Sequence, residues 1–111
     1  NGRTEIKLYS IDISNQDLQL MREANSPWKV SVAVDPKLIG AINLRLVAKK
    51  IAGEETPASY EFRAASIPQA LLASQHGPVN VAGLSKIIPG WGQSDDFNSP
   101  WFATLAAKNG Q

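Results

Sequence analysis

The sequence predicts an α+β fold: a two-layer sandwich in which a mixed or antiparallel sheet carries two to three short helices on one face. Three observations predict it. The strand-like segments alternate apolar and polar residues, so one face of each strand meets water, whereas an all-parallel sheet covered on both faces reads as continuous apolar runs. Two stretches between those segments carry the residues that start and stop helices. The chain has 111 residues, 43% hydrophobic and 19% charged, which suits one folded domain spanning 1–111. An all-β sandwich is the alternative, because "DLQLMREA" and "WFATLAA" also read as strands.

The elements follow in order. "EIKLYSIDI" is a strand from Glu5 to Ile13, with a break near Tyr9, because Ile6 and Leu8 share one face while Ile11 and Ile13 share the other. In "SNQDLQLMREAN", Ser14 is placed to cap a helix and Asp17 to close a short capping box. Leu18, Met21 and Ala24 form its apolar face, and Asn25, Ser26 and Pro27 stop it. "WKVSVAV" alternates as a strand, "DPKLIG" reads as a hairpin turn, and "AINLRLVAKK" alternates again with Ile42, Leu44 and Leu46 inward. "AGEETPA" is a polar loop and "SYEFRA" a further strand. "SIPQALLASQHGP" predicts a second helix, with Ser66 as its cap, Gln69 closing the box, His76 in the last turn and Gly77 as a left-handed stop. "VNVAGL" is a short strand. The chain so divides into two strand–helix–strand units, at 5–34 and 59–84.

"NSPW" occurs twice, at Asn25–Trp28 and Asn98–Trp101. Both copies read as boundary devices: Ser and Asn satisfy backbone donors, Pro fixes the direction and Trp packs. In the second copy Pro100 takes the first helical position, and Asn109-Gly110 ends the helix.

Composition excludes several function classes. Eleven basic residues face ten acidic ones, for a net charge of +1, which argues against a nucleic-acid binder that lives on phosphate attraction. No apolar stretch approaches the roughly 20 residues of a membrane span, so no membrane insertion by this segment is expected. With no Cys and a single His, neither a metal site nor a thiolate nucleophile is expected, and no cofactor is called for. His76 has no partner pattern for catalysis, and no catalytic residue is assigned. The start at Asn1, with no initiator Met, is expected of a fragment or processed part of a longer protein.

The irregular stretch "KIIPGWGQSDDFNSPWF", residues 86–102, holds the candidate binding residues: Trp91, Asp95, Asp96 and Phe97. Aromatics flanked by adaptable polar groups recur at interfaces and sugar platforms. Gly90 and Gly92 flank Trp91 and leave it outside any periodic element, which predicts an exposed recognition residue.

The segment "SNQDLQLMREANSPWKVSVAVDPKLIGAINLRL" resembles the small N-terminal ring-building domains of bacterial secretins, through Asp17-Leu18, Val34-Asp35-Pro36, Gly40, Ile42 and Leu44. The resemblance covers about a third of the chain. It departs in the Pro-containing junction at Ser26–Lys29 and in the long "VAKKIAGEETPA". It implies a periplasmic or otherwise extracytoplasmic module that self-associates or docks a protein partner, without catalysis. The expected function is therefore non-enzymatic assembly within a bacterial envelope or secretion machine. The alternative is a small sugar- or peptide-binding module using the aromatic loop. The remotest is a small enzyme using Asp95 or Asp96.

Overall fold

The computed structural model describes residues 2–109, so Gly110, expected to help stop the last helix, lies outside the described residues. The α+β class holds: three strands form a mixed sheet, with several helices around it.

Strand β1 is Leu8–Ile11, helix α1 is Asn15–Arg22 and strand β2 is Trp28–Ala33. Together they make the expected strand–helix–strand unit, with β1 and β2 parallel. The register slips between Leu8 and Tyr9, where the phase of the apolar pattern changes in the sequence. Ser14 caps α1 as a full capping box: its hydroxyl accepts from Asp17 N–H at 3.2 Å, and the Asp17 carboxylate accepts from Ser14 N–H at 2.8 Å. Leu18 and Met21 are fully buried beneath it. The first "NSPW" joins α1 to β2 within this unit. Ser26 is buried and accepts from Trp28 N–H at 3.3 Å.

The next expectation fails. "DPKLIG" and "AINLRLVAKK" are not a turn and a strand but one 16-residue helix, α2, Pro36–Ile51. Asp35 caps it by accepting from Lys37 N–H at 2.9 Å, and Pro36 opens it in the position that suits Pro. The alternation of Ile42 with Leu44 is an accident of the two periods. Ile42 is fully buried, while Leu44, Val47 and Ile51 are 70%, 56% and 82% exposed.

The second unit, at 59–84, also differs. "SYEFRA", expected as a strand, lies wholly outside the sheet. Strand β3 is Ala65–Pro68, antiparallel to β2, with Ala33 opposite Ala65 and Val30 opposite Pro68. Ser66 therefore lies in a strand and caps nothing. Helix α3, Gln69–Ala73, follows Pro68 with no side-chain cap, and His76 lies beyond its end. Gly77 does take the left-handed conformation, at φ 86. "VNVAGL" contributes to a 3-10 helix, Val81–Lys86, in place of a strand. Helix α4, Pro100–Asn109, starts at Pro100 as expected.

The sheet order is β1-β2-β3, and α1 and α3 pack on it and on each other. The core joins Ile13, Leu18, Met21, Ile67, Leu72, Leu84 and Trp91 with smaller neighbours. Helix α2 stands apart from that layer, and its buried Ile42 is not part of this core. Its partners lie later in the chain. Arg45 donates to the carbonyls of Ser94 and Asp96 at 2.8 and 3.1 Å, and Lys49 donates to Ser99 Oγ at 2.9 Å. Trp101 Nε1 and Lys49 Nζ both donate to Glu54.

The result is elongated, 59 × 33 × 20 Å with a radius of gyration of 18.1 Å. A compact chain of this length would have about 13 Å. The sheet with α1 and α3, the sheet body, meets α2 at a waist, a cleft lined by Val34–Asp35, Leu38 of α2, residues 60–65 and residues 89–94.

Candidate functional site

Two aspartates end two neighbouring parallel strands. Asp12 follows β1 directly, and Asp35 stands two residues beyond β2. Parallel strands present their carboxyl ends on the same side, and open sheets of this kind bind ligands outside those ends.

Asp12 is held in an uncommon backbone conformation, φ 82, where a side chain normally disfavours the chain. A relay of hydrogen bonds keeps it there. Trp28 Nε1 donates to Ser10 Oγ at 2.8 Å, Ser10 Oγ donates to Ser31 Oγ at 2.9 Å, and Ser31 Oγ donates to the Asp12 carbonyl. Ser31 is fully buried, so its hydroxyl must be paired, and this relay pairs it twice. Asp12 N–H donates to Val32 O at 2.8 Å, and its Oδ1 accepts from Ile13 N–H at 2.8 Å. Its Oδ2 makes no hydrogen bond among the described residues.

Asp35 uses Oδ1 to cap α2 and sets Oδ2 against Gly92. Clefts lie on both sides of this contact. One, of about 650 Å³, is lined by Asp35, Tyr60, Phe62, Arg63, Trp91 and Asp96 among others. The second, of about 750 Å³, includes Asn15, Asp35, Arg45, Asn80 and Gln93. Carboxylates, amides, two guanidinium groups and a phenol line these clefts beside aromatic rings. That set can accept from and donate to the hydroxyls of a polyol while packing against its carbon face.

The residues singled out in the sequence fall around the waist unevenly. Trp91 is only 4% exposed, and its Nε1 donates to Val81 O at 3.2 Å. It packs in the core of the sheet body, so the exposed position expected for it is not observed and it offers no stacking face. Its glycine neighbours hide that burial, because the covering residues come from the 3-10 helix and are not local. Asp95 is exposed. Asp96 Oδ2 accepts from Tyr60 Oη at 2.5 Å. Phe97, itself at φ 57, packs edge-on to Tyr60, with centroids 5.1 Å apart. The hydrogen bond to Asp96 raises the Tyr60 pKa above its ordinary value.

Asp12 and Tyr60 were not among the residues singled out for binding, and Asp35 entered only as part of a turn. The signal for the aspartates was present: an Asp just past a strand in a strand–helix–strand unit. The left-handed turn at Asp12 left no mark in the sequence.

No protein-family model matches the chain, and the search of curated proteins gave no match. Similar solved structures include the following two. One is the crystal structure of a sugar ABC transporter from Yersinia enterocolitica subsp. enterocolitica 8081, 96% identical with a TM-score of 0.91, over 98% of this chain and 33% of that one. The other is a 5-methylthioribose transporter solute binding protein from Thermotoga lettingae TMO, in complex with 5-methylthioribose. It is 30% identical with a TM-score of 0.82, over 93% of this chain and 32% of that one. The chain thus spans about a third of the length of each.

These similarities overturn the likeness to secretin ring domains, and with it the reading as an assembly or secretion module. The physical reason lies in "VDP…G". That motif suggested a turn between two strands, but here Asp35 and Pro36 start a long helix. Both neighbours are described as transporter proteins, the second as a solute binding protein. The extracytoplasmic location expected from the sequence stands, since sugar ABC transporter solute-binding proteins are periplasmic. Among the described residues no helix is long and apolar enough to cross a membrane.

Proposed function

We propose that this chain is a section of the solute-binding protein of a sugar ABC transporter, and that the carboxyl ends of β1 and β2 form part of its sugar cleft. The observation that carries the reading is the 96% identity to the Yersinia sugar transporter chain over nearly the whole of this one. The geometry supports it: Asp35 lines both clefts with their polyol-compatible groups, and Asp12 follows the neighbouring parallel strand at the same end of the sheet, where ligands of such folds bind. The complex of the Thermotoga neighbour points to a pentose or a pentose thioether as the ligand class.

In this reading the chain binds and does not catalyse. Asp12 and Asp35 accept hydrogen bonds from sugar hydroxyls, a charge-assisted contact that contributes about 1.5–3 kcal/mol each. The aromatic rings of Tyr60 and Phe62 shape one wall of the waist cleft, and Phe97 packs edge-on to Tyr60. Asp95 and Asp96 have no direct ligand role here; Asp96 works through Tyr60. The protein partner is the permease of the transporter.

The test is calorimetric titration of the full-length protein with 5-methylthioribose and related pentoses. Saturable one-to-one binding is expected. Absence of binding to every pentose by a folded protein overturns the reading.

A further inference from the structure

The side-chain relay that ends on Asp12 begins in the first "NSPW". Trp28 Nε1 donates to Ser10 Oγ, Ser10 Oγ to Ser31 Oγ, and Ser31 Oγ to the Asp12 carbonyl. Its polarity is fixed at both ends, because an indole N–H only donates and a carbonyl only accepts. Each hydroxyl between them therefore has one arrangement that pairs it on both sides. The slip in the β1–β2 register builds the relay. It sets Ser10 opposite Ser31, whereas an unbroken register from Leu8 and Trp28 would set Ser10 opposite Val30. The second "NSPW" makes no such relay, since Trp101 Nε1 donates to Glu54.

Asp12 is the residue at the sheet end that most needs holding. At φ 82 it occupies a region that side chains disfavour. Its N–H is bound to Val32 O, and its Oδ1 accepts from Ile13 N–H. The relay adds an anchor on its carbonyl, through a Ser31 that is fully buried. We propose that Trp28, Ser10 and Ser31 are positioning residues for the sugar site: by pinning the carbonyl of Asp12 they keep it left-handed and set its carboxylate before a ligand arrives. A carboxylate already in place spares the cost of ordering it on binding. Without the Ser31 hydroxyl the carbonyl loses its partner, and Asp12 relaxes toward an ordinary backbone that aims its carboxylate elsewhere. The inference rests on the solute-binding reading for its consequence in affinity, not for the hold on Asp12.

The experiment is a double-mutant cycle in pentose affinity, measured by calorimetry on the full-length protein. Ser31→Ala should weaken binding by about fivefold or more, and Ser10→Ala and Trp28→Phe should weaken it less. An Asp12→Gly background has no carboxylate to place and bears the left-handed turn without penalty. There the same three changes should alter the affinity by less than about twofold. Equal losses in both backgrounds would mean that the relay supports the fold at large, and would overturn the proposal. Undiminished affinity in every folded relay variant would overturn it too. Ser10 and Trp28 are half-buried, and Trp28→Phe keeps an aromatic ring while removing the N–H, so these two variants decide the matter if Ser31→Ala does not fold. Backbone NMR shifts of Asp12 in the ligand-free protein read the hold directly. They should be left-handed in the parent and move toward ordinary extended values in Ser31→Ala; unmoved shifts overturn the hold. If the parent binds no pentose, the solute-binding reading fails while the ligand-free shifts still decide whether the relay holds Asp12.

Discussion

The carboxylate of Asp35 rests against the α-carbon of Gly92: a Cβ at Gly92 would overlap Asp35 Oδ2 and stand 3.2 Å from its Cγ. Two of the segments that line the waist are in direct contact at this point, and the contact involves an acid proposed to meet the ligand. Gly92 also needs a left-handed backbone, φ +70. Both conditions require glycine.

Gly92→Ala is therefore expected to destabilise the full-length protein by about 1–3 kcal/mol through strain and overlap, and to weaken pentose binding by displacing Asp35. Gly40→Ala is the control. Gly40 lies inside α2 with open space around it, so alanine there should raise stability by about 0.5–1 kcal/mol. Thermal melts of the two variants should move in opposite directions.

The two candidate caps separate in the same way. Ser14→Ala should cost about 1 kcal/mol, because Ser14 holds a complete capping box. Ser66→Ala should leave the urea midpoint within experimental error, because Ser66 is an exposed residue of β3. Equal losses would contradict the assignment of β3.

Trp91→Ala should be severe. The ring is buried and hydrogen-bonded, and truncating such a residue costs about 3–5 kcal/mol. Trp28 and Trp101 are half-buried, so their alanine variants should melt later than Trp91→Ala. A Trp91→Ala protein that melts like the parent would put the ring back on the surface.

Glu54 supplies a pH dependence. Hydrogen bonds from Lys49, first, and from Trp101 hold its carboxyl below the ordinary value of 4.5. A lowered folded-state pKa means that the unfolded chain binds the proton more readily. The contribution is then fully present above about pH 4.5 and is lost as pH falls through the folded value. Glu54→Gln removes it, so the difference in melting temperature between parent and variant should shrink as pH is lowered from about 5 to about 3. A constant difference over that range would show that the charge of Glu54 contributes nothing.

The legibility of this chain divides along local and distant causes. The capping box of Ser14 and Asp17, the break at Tyr9 and the Pro100 helix start are set by neighbours in sequence, and all were readable. Helix α2 was not, because Ile42, Leu44 and Leu46 satisfy a period of two, and the outward Leu44, Val47 and Ile51 look like core residues in a chain of this size. Asp35-Pro36 was the counter-signal, a cap followed by Pro, and it was read as a turn. Ser66 imitated a cap because "SIPQ" has the right spacing, yet pairing of Ile67 with Ser31 across the sheet overrides it. Asp96 and Phe97 were singled out by composition, but their partner Tyr60 is 36 residues away from Asp96. Trp91 was misplaced for the same reason: its cover comes from Val81 and Leu84, which no local pattern links to it.

The most direct measurement is the pentose affinity of the full-length protein alongside its Asp12→Asn and Asp35→Asn variants, by calorimetry. Each variant loses a charge and keeps its shape. The account predicts saturable binding to the parent protein, weakened about 10-fold or more in each folded variant, as expected for the loss of a charge-assisted hydrogen bond. Binding that is undiminished in both variants would contradict the placement of the sugar at the carboxyl ends of β1 and β2.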